Sequence, residues 1–297
     1  MLGITYMHNL LYKTSVNSYV IPVSKSIHFL FPKKYVNLNK QFDTSKQLYF
    51  LKKSNMLFSH DQSDIYIQKN EFIKNKKIIS ISPGGYKGFY LMGIVSFIKQ
   101  HYSLDSYIFS GASAGAWNAL FMSYKHDPML FVGKIMESVG NKTLTLREIE
   151  GVIKKNLLKS YTNKDFDLRR LFIGITTINN FQIKTNIFSD FDDLEDALDC
   201  CIGSSHIPLI TGGFTNKYHN MYTFDGAFST YPYLNISKPS LHISASMWNN
   251  TEKKHCKTEL INYYSMFSRD NIDFAMLYKQ GYDDAYNHKT YLDGIFL

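Results

Sequence analysis

At 297 residues, with 44% hydrophobic and 20% charged side chains, the chain has room for one large α/β domain or two small ones, and a disordered or fibrous class is excluded. The formal charge of +8 suits an anionic partner, either nucleic acid or an acidic membrane surface. No arginine-rich helix, zinc-finger spacing or RNP-type aromatic motif accompanies that charge, so the expected partner is a lipid or membrane-surface substrate and not nucleic acid.

Much of the excess charge sits at the N-terminus, where Lys13, Lys25, Lys33, Lys34 and Lys40 precede the first acidic residue, Asp43. Residues 1–76 read as an extension without an assignable fold, interrupted by Pro22 and Pro32. The acid-free part has the look of a targeting segment but lacks its usual arginines, and a strand or loop packed on the body is the equal alternative. Residues 77–297 form the expected catalytic domain. Cys200, Cys201 and Cys256 are an odd number without a C-x-x-C pair, which argues against a disulfide framework or a thiolate zinc site. They point to an intracellular location, peripheral to a membrane or organellar. No cofactor and no metal is expected, because no ligand cluster has metal spacing. The apolar run Phe89 to Ile98 is about half of the roughly 20 residues that span a bilayer, so no membrane crossing is expected.

In chain order, Ile78 to Ile81 is a β-branched run expected to form a buried strand, broken by Pro83-Gly84-Gly85. A helix follows through Phe89, Met92, Val95 and Ile98 to about Tyr102, then a strand over Tyr107 to Ser110 and a helix over Ala116 to Tyr124. Further helices are predicted over Pro128 to Gly140 and Leu146 to Lys159. Leu171 to Ile178 and Phe181 to Phe188 read as strands joined by a turn at Asn179-Asn180. Asp192 to Ser204 reads as a helix, Tyr222 to Phe224 and Leu241 to Ser246 as short strands, and Asp273 to Tyr286 as a closing helix. The alternation predicts an α/β fold of three layers, α/β/α, with a mainly parallel central sheet and helices on both faces.

Three short patterns carry the chemistry. Gly111-Ala112-Ser113-Ala114-Gly115 matches G-x-S-x-G, in which small neighbours let a serine sit on a tight strand-to-helix turn, at the helix end that favours negative charge. The pattern alone is weak, since a chain of this length shows it by chance roughly one time in ten. Gly84-Gly85-Tyr86-Lys87-Gly88 is a strand-terminal glycine loop whose amides can approach an oxyanion. No Gly-Lys-Ser/Thr follows to make it a phosphate loop, and Lys87 reads as a solvated cation in preference to a catalytic one. Asp225-Gly226-Ala227 ends the short strand Tyr222 to Phe224 and puts a carboxylate where open α/β sheets collect their active sites, although most Asp-Gly pairs are simply turns.

In order and type, these three motifs resemble those of the patatin-like phospholipase family: a glycine-rich oxyanion loop, G-x-S-x-G and D-G-[GA]. Ser204-Ser205-His206-Ile207-Pro208 is similar to the segment before that family's aspartate, and the likeness covers roughly Ile78 to Leu234. It implies a serine lipid acyl hydrolase with Ser113 as nucleophile, Asp225 as its direct base and Gly84 to Gly88 around the oxyanion. One departure is Pro83, which stands where the family has glycine and has no N–H to donate. The rival enzyme is a Ser-Asp-His hydrolase, for which His242, His255 and His288 follow the acid in sequence. A lipid-binding protein of the same fold without turnover is the alternative from a different class.

Overall fold

The computed structural model describes residues 56–58, 71–140, 144–179, 182–248 and 272–297. Strands β1 (Met56–Phe58), β2 (Lys77–Ile81), β3 (Tyr107–Ala112), β4 (Leu171–Asn179), β5 (Gln182–Ser189), β6 (Asn216–Tyr218), β7 (Met221–Phe224) and β8 (Leu241–Ile243) form one sheet. Its main path runs β1-β5-β4-β3-β2-β8, with β7 on β4 and β6 on β7. The centre, β8-β2-β3-β4, is parallel, and β1, β5, β6 and β7 pair antiparallel. The chain is thus α/β, a mixed and mostly parallel sheet flanked by helices, compatible with the three layers expected.

The helices are α1 (Gly88–His101), α2 (Ala114–Ser123), α3 (Pro128–Val139), α4 (Leu146–Ser160), α5 (Leu194–Ser204), α6 (Phe274–Asn287) and α7 (Lys289–Phe296). Strand residues alternate between faces. One face presents Ile79, Ile81, Phe109, Ile173 and Ile175 to the large core that the helices share. The other presents Ile78, Ile108, Phe172 and Ile187, which pack with Ile73 and Leu234. Lys99 of α1 donates to the carbonyls of Met122 (2.9 Å) and Tyr124 (2.7 Å), satisfying the free end of α2. Burial, helped by nearby Arg170, lowers that amine to about 7. At the start of α4, the Thr145 hydroxyl accepts from the Glu148 amide (3.1 Å) while the Thr145 amide donates to the Glu148 carboxylate (2.7 Å), a capping box.

Several boundaries differ from those predicted. α2 begins at Ala114, two residues earlier, because it springs directly from the turn at Ser113. α5 begins at Leu194 because the Asp193 carboxylate accepts the Asp196 amide (2.8 Å) and caps it. β8 stops at Ile243, short of Ser246, since its only sheet neighbour among the described residues, β2, ends at Ile81 where the glycine loop departs. β6, only three residues long, and α7 are additions to the predicted elements. β1, within the unassigned 1–76 stretch, pairs with β5. The antiparallel pairing of β4 and β5 matches the hairpin expectation, with Asn179 opposite Gln182. Its tip at 180–181, the lysines at 13–40, His255 and Cys256 lie outside the described residues.

Candidate active site

Ser113 stands between β3 and α2 at φ +55, ψ −127, a backbone conformation side chains other than glycine rarely adopt. Neighbouring structure over-determines it. A Cβ on Gly111 would overlap the backbone of Gly115, and one on Gly115 would overlap the Ile81 carbonyl of β2, so the turn closes only with glycine at both places. The Ser113 amide donates to the Ser204 hydroxyl (2.8 Å), which in turn donates to the Gly174 carbonyl (2.6 Å). A serine ahead of a helix ordinarily caps it with its own hydroxyl. Here the hydroxyl caps nothing and donates instead to the Asp225 carboxylate, at 2.6 Å.

Sheet register explains why these two residues meet. β3 runs along β4 until Ala112 lies opposite Gly174, while β7 runs the other way along the same edge until Phe224 lies opposite Thr176. The two strands therefore approach each other end to end, and the next residue of each, Ser113 and Asp225, converges beside Ile175. Gly226 permits the approach, since a Cβ there would stand 2.6 Å from the Ala112 Cβ and 2.8 Å from the Gly174 carbonyl. The Asp225 amide donates to the His206 carbonyl (2.7 Å), and its second carboxylate oxygen accepts the Ala227 amide (2.7 Å). Both Ser113 and Asp225 are buried. Burial pushes the Asp225 carboxyl up to about 6, against the two donors, Ser113 and Ala227, that pull it down.

The glycine loop lies one strand away because β2 and β3 are parallel and in register, with Ile81 opposite Gly111. Gly85, Tyr86 and Gly88 border the same cavity as Ser113 and Ala114, whereas Gly84 and Lys87 do not. Gly85 opens a single 3₁₀ turn at φ +52, so its amide has no acceptor within that turn. Gly84 has extended φ and room for a side chain, its nearest neighbour being Leu91 Cδ1 at 3.6 Å from a Cβ. The Lys87 amide closes the turn on the Gly84 carbonyl (3.0 Å). Of the loop residues named from sequence, Gly85, Tyr86 and Gly88 thus stand at the site, and Gly84 and Lys87 shape the turn.

From Ser113 a cavity of about 100 Å³ runs between α1, α2, α3 and α4, on a scale where one water needs roughly 10–15 Å³. Met92, Phe121, Phe131, Ile135, Ile149 and Ile153 make it apolar. Trp117, Glu150 and Ser205 add polar atoms. Of these three, only Ser205 falls in a recognised sequence pattern, the segment ahead of the aspartate. The spacing Ile149, Ile153, Leu157 announces a buried face of α4, and nothing in that pattern marks Glu150 as facing inward.

The two candidate triad histidines among the described residues have other partners. His242 bonds the Ser80 hydroxyl (2.8 Å), and His288 bonds the Asp284 carbonyl (2.8 Å) and stacks on Trp248. Among the described residues no group of three His, Cys, Asp or Glu side chains could hold a metal ion, and no helix is long and apolar enough to cross a membrane. Comparison of the chain with protein-family models, with curated proteins and with solved structures returns no match.

Proposed function

We propose that the protein is a serine acyl hydrolase that cleaves carboxylic esters of lipids through a Ser113–Asp225 dyad. The observation that carries this reading is the 2.6 Å hydrogen bond from Ser113 Oγ to Asp225 Oδ2, buried at the end of an apolar cavity. The motif order shared with patatin-like phospholipases agrees with it. So does the carboxyl of Asp225, raised toward neutrality, since a base works best when its pKa lies near the working pH.

In the mechanism that follows, Asp225 takes the Ser113 proton as Oγ attacks the ester carbonyl. The oxyanion is held by the amides at Gly85 and at the start of α2, whose first N–H groups have no partner within the helix. Collapse breaks the C–O bond, and the departing alcohol takes the proton from Asp225. Water then attacks the acyl enzyme, gives its proton to Asp225, and releases the fatty acid as the proton returns to Ser113. The apolar side chains along α1 to α4 take the acyl chain out of water during both steps.

A fluorophosphonate probe tests the reading directly. The expected result is stoichiometric labelling of the folded chain that Ser113→Ala removes, together with release of fatty acid from a lipid ester panel. A folded chain that takes no label, or labelling that persists in Ser113→Ala, refutes it.

A further inference from the structure

Ser204 closes α5 and is fully buried. A serine in that place commonly bonds back to the carbonyl four residues earlier, as its neighbour Ser205 does to Cys201 (2.9 Å). Ser204 instead reaches across the chain, to positions 91 and 30 residues away. Its single hydroxyl proton goes to the Gly174 carbonyl (2.6 Å), which leaves a lone pair to accept the Ser113 amide (2.8 Å). Ala112 opposite Gly174 is the last paired position of β3 on β4, so the hydroxyl bridges the two strands just where the chain turns out of the sheet.

The residues that follow hold the rest of the site. Ser205 Oγ accepts the Trp117 indole N–H (3.1 Å), one turn into α2 from Ser113. The His206 carbonyl accepts the Asp225 amide (2.7 Å). Three consecutive residues therefore fix the Ser113 backbone, the helix that follows it and the Asp225 backbone, and the two gripped backbones are those whose side chains meet at 2.6 Å. Of these grips, only the one at Ser204 uses a side chain to hold a member of the dyad. The direction of the Ser113 side chain follows from its backbone, at φ +55 and ψ −127. A buried amide left without an acceptor carries the cost of an unmade hydrogen bond, so the peptide before Ser113 would turn toward another partner and take Oγ with it.

We propose that Ser204 is a positioning residue, which acts through the Ser113 amide to aim the Ser113 hydroxyl at Asp225. It does not line the cavity, so its effect reaches the reaction only through Ser113. The proposal rests on the dyad reading for its catalytic consequence, whereas the hydrogen bond that Ser204 sets can be followed without turnover.

The test follows the Asp225 carboxyl of the full-length chain by infrared difference spectroscopy as pH is varied, with Asp225→Asn as the blank. Ser113 donates to this carboxylate and so holds its midpoint down. Ser113→Ala removes that donor and sets the upper limit. Ser204→Ala is expected to move the midpoint from the parent's value of about 6 upward toward that limit. Ser204→Cys, whose thiol is a weaker donor and acceptor, falls between, and it carries the test should Ser204→Ala fail to fold. Where the chain takes a fluorophosphonate label, Ser204→Ala lowers the limiting labelling rate on the order of 10²-fold, the worth of a misplacement near 1 Å, and leaves the half-saturating probe concentration unchanged. Lost stability alone moves neither reading in the folded molecules. A midpoint equal to the parent's overturns the proposal, as does an equal limiting rate in a chain that labels. A midpoint that rises in a chain taking no label keeps Ser204 as the positioning residue of a Ser-Asp pair and sinks the hydrolase. Labelling of the parent with both readings unmoved in Ser204→Ala does the reverse.

Discussion

Two strand-turn-helix units, β2 to α1 and β3 to α2, lie side by side in register, and both turn on glycines. They use them differently. In the β3 unit, Gly111 and Gly115 leave no space for a side chain and hold Ser113 at φ +55. In the β2 unit only Gly85 has positive φ, and Gly84 has both ordinary extended φ and room for a Cβ. Steric exclusion therefore builds the turn at Ser113, while the adjoining loop needs one left-handed residue to bring its amides beside the cavity. A motif that looks equally glycine-rich in two places can be obligatory in one and permissive in the other.

The largest expected effect breaks the first unit. Gly115→Ala forces a methyl into the Ile81 carbonyl and should cost about 3 kcal/mol or more, the upper end of overpacking. Thermal unfolding should show a loss of roughly 10 °C or outright failure to fold; a wild-type melting temperature would mean the turn is looser than described.

Next comes the carboxylate that the first unit faces. Asp225→Asn keeps the fold and should slow fluorophosphonate labelling by about 10²–10⁴-fold, the usual worth of a positioned general base. In the parent, labelling should rise with pH and level off above about 6, because only the ionised carboxylate accepts the serine proton. Stability should move the opposite way. A raised carboxyl contributes fully below the unfolded value of 3.8, and that contribution is lost as pH rises through about 6. The shift is on the order of 3 kcal/mol, and denaturant titrations of Asp225→Asn across pH 4–7 should lack it. Labelling independent of pH across that window would remove Asp225 as the base.

The smallest effects separate the two glycines of the second unit. Gly85→Ala places a side chain in the left-handed region, costing about 1–2 kcal/mol, and should reduce the labelling rate severalfold as the loop amides shift. Gly84→Ala should change stability by no more than about 0.5 kcal/mol and leave labelling nearly intact. Equal losses in the two variants would show that the loop depends on both glycines alike.

Strands and helices with strong local signals are legible in the residues alone. The run Ile78 to Ile81, the Pro128 start of α3 and the small residues around Ser113 each carry their own physics in neighbouring positions. Weak or short elements are harder to read, since β6 and the end of β8 depend on the hydrogen bonds a neighbouring strand offers. Glu150 is hidden for a related reason. Helical periodicity reports which face is apolar, and an inward glutamate is visible only once the cavity that it shares with Trp117 and Ser205 is assembled.

The local requirements of the site are thus written in short stretches of chain: a serine between small residues, a glycine loop one unit earlier and a carboxylate after a short strand. Their union into one site is the work of tertiary pairing. Ser113 and Asp225 are separated by 112 positions, and what joins them is β4, along whose single edge β3 and β7 run toward each other and stop one residue apart. Register in a sheet is set by pairing between distant segments, and no window of sequence contains it.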